Sequence, residues 1–334
     1  MKVLITGGAG FVGSTVASAC VDDGITPVLL DSLETGRAEF VGDRIFYQGD
    51  IADSGVIDAI FAEHSDIAAV VHCAALIVVP ESTSEPLRYY HANVTKSLIM
   101  IENLIRHGCR RYLLSSSAAI YRPGADFSVD EESPIDPKSP YARTKVAVEW
   151  VFEDCSRAYD IRAIALRYFN PIGADPQLRT GSHVRNPTHV LGKMLEASRS
   201  KKTFYITGTR WPTRDGSGLR DYIHVWDLAK AHVQALRRFD TILPIGAERR
   251  YEPINLGTGN GTTVYELLHA VEKVLGRSLE TAMAEPRPGD NAGSFARSGR
   301  ARELLHWRPV YSIEDAIQHS LDWMAVKDKM LGDT

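Results

Sequence analysis

Eight residues near the start constrain this chain more than any others. Thr6-Gly7-Gly8-Ala9-Gly10-Phe11-Val12-Gly13 stands directly behind a short apolar run, Lys2 to Thr6, and opens a segment of helical period, Phe11 to Asp22. Glycines at 7, 10 and 13 permit a tight turn, close approach of a ligand to the backbone and close packing of helix on sheet. The first N–H groups of the helix then face whatever sits in the turn, which makes it an anion site. Strand, glycine loop and helix in that order suit the pyrophosphate of a dinucleotide, and they predict a parallel βαβ unit at the N-terminus.

The alternation continues downstream. β-Branched runs at Pro27 to Asp31, Arg44 to Gln48, Ala68 to His72, Arg111 to Ser115 and Arg162 to Arg167 are spaced by helical segments at Ser54 to His64, Leu87 to His107 and Tyr141 to Tyr159. This pattern predicts an α/β fold, a doubly wound, Rossmann-like parallel sheet covered by helices. After Asn170-Pro171 the texture changes to loops rich in Gly, Arg, Pro and Thr. Further helices are expected at Pro187 to Arg199, Val225 to Phe239, Thr262 to Leu275 and Ser312 to Met324. The expected division is a cofactor-binding domain over 1–170, with 222–260 packing back onto it, and a smaller, mainly substrate-binding domain over 171–330.

Charge and cysteine content narrow the function. The 38 Lys+Arg and 42 Asp+Glu are interspersed, so no basic footprint for nucleic acid is present. Cys20, Cys73, Cys109 and Cys155 stand far apart with no C-x-x-C pair, which suggests neither a metal site nor a disulfide framework and suits the cytoplasm. The first apolar run, Val3 to Ile5, is too short for a signal core or a membrane helix, so no membrane association is expected.

The cofactor side of the site can be read further. Asp31 ends the second strand about 20 residues beyond the glycines, where a carboxylate hydrogen-bonds the adenosine ribose and repels a 2′-phosphate, favouring NAD over NADP. Asp50-Ile51, behind the third strand, can receive the adenine. Cys73-Ala74-Ala75, behind the fourth, are small enough to pass under the cofactor.

Tyr141 and Lys145 lie four apart on one helical face, directly after Pro140. A phenol ordinarily titrates near 10, so service as a base at neutral pH requires roughly 3 to 4 kcal/mol of differential stabilisation. The Lys145 ammonium and a positive nicotinamide are the available sources. Ser117, at the end of the fifth strand, falls on the same sheet edge, where it can hydrogen-bond a substrate hydroxyl and relay its proton.

With these elements in order the chain resembles the extended short-chain dehydrogenase/reductase superfamily, and within it the UDP-glucose (UDP-galactose) 4-epimerases. The similarity runs from Met1 to about Trp323. It is carried by Thr6 to Gly13, Asp31-Ser32-Leu33, Val71 to Leu76, Tyr89 to Val94, Ser115 to Tyr121, Pro140 to Lys145, Leu166 to Ala174, Asp215 to Val225, Asn255 to Gly259 and Arg287-Pro288-Gly289-Asp290. The resemblance implies NAD-dependent inversion at C4 of a UDP-hexose through a transient 4-keto intermediate, in a homodimer. It implies Tyr141 as base, Lys145 as activator and ribose anchor, and Ser117 as hydroxyl partner. Phe11, Val12, Asn93, Ser115 and Tyr168 join the residues implied around NAD. Asn170, Arg220 and Arg287 would hold the UDP, with Asn186, Asp290 and Ser294 also on the substrate side.

Departures from the family pattern bear on substrate choice. Ile77 stands where a lysine near the cofactor is common, and Ser294 where a bulky tyrosine is common, leaving room for an N-acetyl group. An epimerase acting mainly on UDP-N-acetylglucosamine or UDP-glucuronate therefore stands beside the UDP-glucose reading. A nucleotide-sugar 4,6-dehydratase is disfavoured, because Ser117-Ala118-Ala119 offers no carboxylate where such enzymes carry Thr-Asp-Glu. A non-catalytic dinucleotide sensor or scaffold is the alternative of another class, and it has no need to keep Tyr141, Lys145 and Ser117 together.

Overall fold

The structure is a computed structural model that describes residues 1–286 and 291–332. Seven strands form one parallel sheet: β1 (Lys2–Thr6), β2 (Thr26–Asp31), β3 (Ile45–Gln48), β4 (Ile67–His72), β5 (Arg111–Ser117), β6 (Arg162–Tyr168) and β7 (Tyr251–Leu256). Their order is β7-β6-β5-β4-β1-β2-β3. The chain therefore winds one way from β1 to β3 and the other way from β4 to β7. A crevice opens at the carboxyl ends of β1 and β4, where the direction reverses.

Both faces of the sheet are covered, which is why its strands read as continuous apolar runs instead of alternating ones. Val3 and Ile5 face a core shared with the helices Phe11–Asp22 and Val225–Arg237. Leu4 faces the opposite core, with Ile57, Met100, Leu104, Val148 and Phe152 from three other helices. Each such side chain contributes about 1.5–3 kcal/mol by leaving water.

Two features differ from the sequence expectation. The sheet has a seventh strand, β7, which joins β6 in register from Tyr251↔Ala163 to Leu256↔Tyr168. Its proline, Pro253, is tolerated because β7 is the edge strand and needs no donor on its outer side. The helix expected over Leu87 to His107 is instead Val79–Ser84, Pro86–Tyr90, a single π-turn His91–Thr95, and Lys96–Arg106. The π-turn contains Asn93, and such turns recur where a side chain must be aimed at a site.

The remaining elements build smaller sheets outside the main one. Short strands Ser128–Val129, Leu219–Arg220, Thr262–Thr263 and Gly293–Ala296 make a four-stranded sheet, beside a third core of Met194, Ile206, Tyr222, Leu267 and Ile317. The last helix, Ile313–Met330, starts at a capping box of Ser312 and Asp315 and runs past the expected end at Met324. Among the described residues no helix is long and apolar enough to cross a membrane.

Candidate active site

A groove with about 660 Å3 of atom-free space follows the carboxyl ends of β1 to β4, and Gly7, Gly10, Asp31, Asp50, Ile51, Cys73, Ala74 and Ala75 line it. Its floor is backbone. Gly7 has φ +69°, and a Cβ there would lie 2.6 Å from the Ala74 nitrogen; a Cβ on Gly13 would lie 2.1 Å from the Gly7 carbonyl. At Gly10, the N-cap of the Phe11–Asp22 helix, a Cβ would meet only the Gly7 carbonyl, at 3.3 Å. This bare cradle at a helix N-terminus fits the pyrophosphate of NAD. Phe11 begins that helix, and Val12 packs against the core below.

Asp31 lines the groove at the end of β2. Its carboxylate accepts from the Ala9 N–H and the Leu33 N–H, both at 2.9 Å, so it ties the glycine loop to the end of β2. The turn role and the groove-lining role coexist in one residue. Asp50 is also occupied: it accepts from Ala52 N–H at 2.9 Å and pairs with Lys96. Burial raises the Asp50 carboxyl, but the Lys96 contact and the Ala52 bond outweigh it and hold the group below its ordinary value. Lys96 lines the groove and was not singled out from the sequence, where it reads as an ordinary helix lysine.

Asn93 reaches the groove indirectly. Its amide oxygen accepts from Leu76 N–H at 2.8 Å, and its nitrogen donates to the Leu76 carbonyl and to Thr144 Oγ1, both at 3.0 Å. It thereby pins the loop behind β4 to the helix that carries Tyr141, a role the π-turn makes possible. Ile77, in the same loop, is 65% exposed.

Ser139 caps the helix Pro140–Ala158, and Tyr141 and Lys145 follow in its first two turns. The buried Lys145 ammonium donates to the Ser115 carbonyl at 2.9 Å and stands 5.9 Å from the centroid of the Tyr141 ring. Burial pushes the lysine down to about 8. It also pushes the Tyr141 phenol up, with the Ser117 hydroxyl acting in the opposite direction. Burial, and not the expected lowering by Lys145, is therefore the dominant influence on the phenol in this structure. Behind the pair, Glu149 accepts from Ser116 and from Arg167, whose Nη2 is 2.6 Å away, forming a buried ion pair one turn beyond Lys145.

Tyr168 points its hydroxyl at Ser115 Oγ (2.5 Å) and at His232 Nε2 (2.6 Å). His232 was missed in the sequence, since a lone histidine on the inner face of a helix carries no pattern of its own.

On the substrate side, Asn170 pairs with Tyr222 across two short strands. Arg220 lies beside Ser294 in register, its guanidinium donating to the carbonyls of Leu219 and Ala292. Asp221, the chain neighbour of Arg220, is a fully buried hub: it accepts from the Thr258 N–H and hydroxyl at 2.8 and 2.6 Å, from Gly259 N–H at 3.1 Å and from Ala296 N–H at 3.0 Å. Asn186 is exposed in the loop before the helix Val190–Ser200. Arg287 and Asp290 lie outside the described residues.

The chain is similar to known proteins over nearly its whole length. Residues 3–257 match the model of the NAD dependent epimerase/dehydratase family. A UDP-glucose 4-epimerase from Halalkalibacterium halodurans is 36% identical over 325 residues, covering 97% of this chain and 95% of that protein. A crystal structure of a UDP-glucose-4-epimerase from Stenotrophomonas maltophila, with bound NAD and formylated UDP-arabinopyranose, superposes with a TM-score of 0.92 at 33% identity, covering 98% of this chain and 99% of that one. The UDP-Glc/GlcNAc 4-epimerase of Campylobacter jejuni superposes with a TM-score of 0.82 at 32% identity, covering 97% and 99%. A glycine cradle that fits a dinucleotide, a Tyr-Lys pair at the end of the neighbouring β5 and likeness along nearly the whole chain lead to one conclusion: this chain belongs to the NAD dependent epimerase/dehydratase family.

Proposed function

We propose that this chain is a UDP-glucose 4-epimerase-type isomerase, which inverts C4 of a UDP-hexose and so interconverts UDP-galactose and UDP-glucose with NAD as cofactor. The observation that carries the reading is the convergence of Tyr141, Lys145 and Ser117 at the carboxyl end of β5, with the helix of Tyr141 and Lys145 tied by Asn93 to Leu76 in the lining of the glycine groove. When bound, NAD supplies a reversible two-electron acceptor for the carbon that inverts.

The residues divide the work. The Gly7–Gly13 loop holds the pyrophosphate of NAD and Asp31 its adenosine ribose. Ser117 orients the sugar 4-hydroxyl and Tyr141 Oη takes its proton, returning it in the second half-reaction. Because burial lifts the phenol, the lowering a base requires must come from the Ser117 hydroxyl, which already acts in that direction, and from positive charge near the ring, where the Lys145 ammonium stands 5.9 Å from the centroid. Asn170, Arg220 and Arg287 would grip the UDP, with Asn186 and Asp290 also on the substrate side, while the 4-keto hexose stays free to turn about its diphosphate link. A tight hold on the nucleotide beside a loose hold on the sugar is what inversion demands.

The division into a cofactor half, 1–170 joined by 222–260, and a sugar half over 171–330 is part of this proposal, supported by the place of β7 in the main sheet. A cytoplasmic homodimer completes it. Exposed Leu87, Leu98 and Trp150 on neighbouring helical segments support pairing, and four free cysteines suit a reducing compartment. A sedimentation mass of one chain would refute the dimer.

Ser294 favours a second substrate. It is small, half-buried and paired with Arg220, so it leaves space beside the proposed sugar position for an N-acetyl group. Conversion of UDP-galactose, UDP-N-acetylglucosamine and UDP-glucuronate at equal concentration tests both readings. Failure to convert any of them, with NAD supplied, would defeat the enzymatic proposal.

A further inference from the structure

Beneath the mouth of the groove a line of side chains crosses the sheet edge. Cys73 Sγ lies 3.1 Å from Ser115 Oγ, Ser115 Oγ 2.5 Å from the Tyr168 hydroxyl, and that hydroxyl 2.6 Å from His232 Nε2. His232 is 0% exposed, and its Nδ1 lies 2.9 Å from the Leu228 carbonyl, one turn earlier in the same helix.

The direction of the bonds from Ser115 to His232 follows from the last member of the line. A carbonyl can only accept, so His232 Nδ1 carries a proton. Burial pushes the imidazolium down to about 4, so the ring is neutral and Nε2 is bare. Nε2 must accept, and the Tyr168 hydroxyl donates to it. Having one proton, Tyr168 can only accept from Ser115, whose own single proton is then spent. Ser115 is also the residue whose backbone carbonyl receives the Lys145 ammonium.

We propose that His232 is a positioning residue for the catalytic pair: through the one-way chain Ser115→Tyr168→His232→Leu228 it anchors the end of β5, from which Lys145 is hung and on which Ser117 stands. The inference rests on the reading of Lys145 and Ser117 as part of the catalytic site. Without the acceptor at Nε2, the Tyr168 proton has to turn to Ser115, the chain reverses, and the strand end loses its tie to the Val225–Arg237 helix.

Nitrogen-resolved NMR of 15N-histidine-labelled holoenzyme tests the direction. The signals that vanish in a His232→Gln variant should show a proton on Nδ1 and none on Nε2 at pH 7. A proton on Nε2, or on both nitrogens, would overturn the proposal whatever the activity. In kinetics, His232→Leu should lower kcat about tenfold to a hundredfold, the cost of a misplaced catalytic group, and leave KM for UDP-galactose nearly unchanged. His232→Gln, which keeps an accepting oxygen, should recover most of that loss. Tyr168→Phe added to His232→Leu should cost little more, because both cut one chain. Wild-type kcat in His232→Leu, or a loss confined to KM, would reject the positioning role. A Lys145→Ala variant with full turnover would instead defeat the parent catalytic reading and leave the NMR result standing. If His232→Leu does not fold, the label experiment on the wild-type protein, with His232→Gln for assignment, still decides.

Discussion

The Lys145 ammonium is bonded to the Ser115 carbonyl at 2.9 Å while standing 5.9 Å from the centre of the Tyr141 ring. One cation thus connects the end of β5 to the phenol proposed as base. Because a buried ammonium needs such an acceptor to stay charged, the strand end and the base are mechanically coupled.

Replacing the phenol isolates its chemical role. Tyr141→Phe should lower kcat about a hundredfold to ten-thousandfold, the span expected for loss of a general acid-base group, with folding unaffected because the ring remains. Turnover of UDP-galactose, alongside the thermal midpoint, measures this; wild-type turnover would show that another group is the base.

The lysine predicts a pH signature. Its charged form is lost as pH rises through about 8, so kcat should fall on the alkaline side of that value. In Lys145→Arg, whose guanidinium stays charged, the limb should move upward if the variant remains active. Stability runs the other way. Between about 8 and the ordinary 10.5 the unfolded chain holds a proton that the folded chain has released, so this group makes stability rise with pH across that interval. Denaturant midpoints of wild type and Lys145→Met compared over pH 7.5 to 10 would reveal that slope, which the variant should lack.

Asp221 joins three backbone segments around the proposed sugar site. In Asp221→Asn one of its two acceptor oxygens becomes a donor facing existing donors, and we expect a loss of about 2–4 kcal/mol in urea unfolding. KM for the UDP-sugar should rise as well, since Arg220 is its chain neighbour. A stability change below about 0.5 kcal/mol, the level of an ordinary surface change, would contradict the hub role.

Gly13 has no room for a methyl group. Gly13→Ala places a Cβ 2.1 Å from the Gly7 carbonyl, and rigid backbone must move to accept it. The expected cost is about 1–3 kcal/mol or more, with loss of retained NAD measurable after gel filtration. Full NAD occupancy in the variant would show that the cradle is not where the pyrophosphate sits.

Ser294→Tyr fills the space beside Arg220. The ratio of UDP-N-acetylglucosamine to UDP-glucose turnover should drop at least about tenfold, as expected when bulk is built against one of two ligands. An unchanged ratio would remove Ser294 from the specificity argument.

Local sequence determined the parts of this protein that local physics controls. The strand Lys2–Thr6, the glycine turn and the helix Phe11–Asp22 are written in consecutive residues, since a turn needing no Cβ and an apolar run buried on both faces leave little choice. The same holds for Tyr141 and Lys145, which a helical repeat places on one face. Tertiary structure decided what depends on distant partners. Tyr251–Leu256 becomes a strand because β6 offers an unpaired edge. The helix before Arg106 yields a π-turn that directs Asn93 onto Leu76 and Thr144. Asp221 is buried among donors of Thr258, Gly259 and Ala296, and His232 meets the Tyr168 hydroxyl only once its helix has docked against the sheet. A single chain segment specifies its own torsions, whereas hydrogen-bond partners and burial exist only after segments far apart in sequence have met.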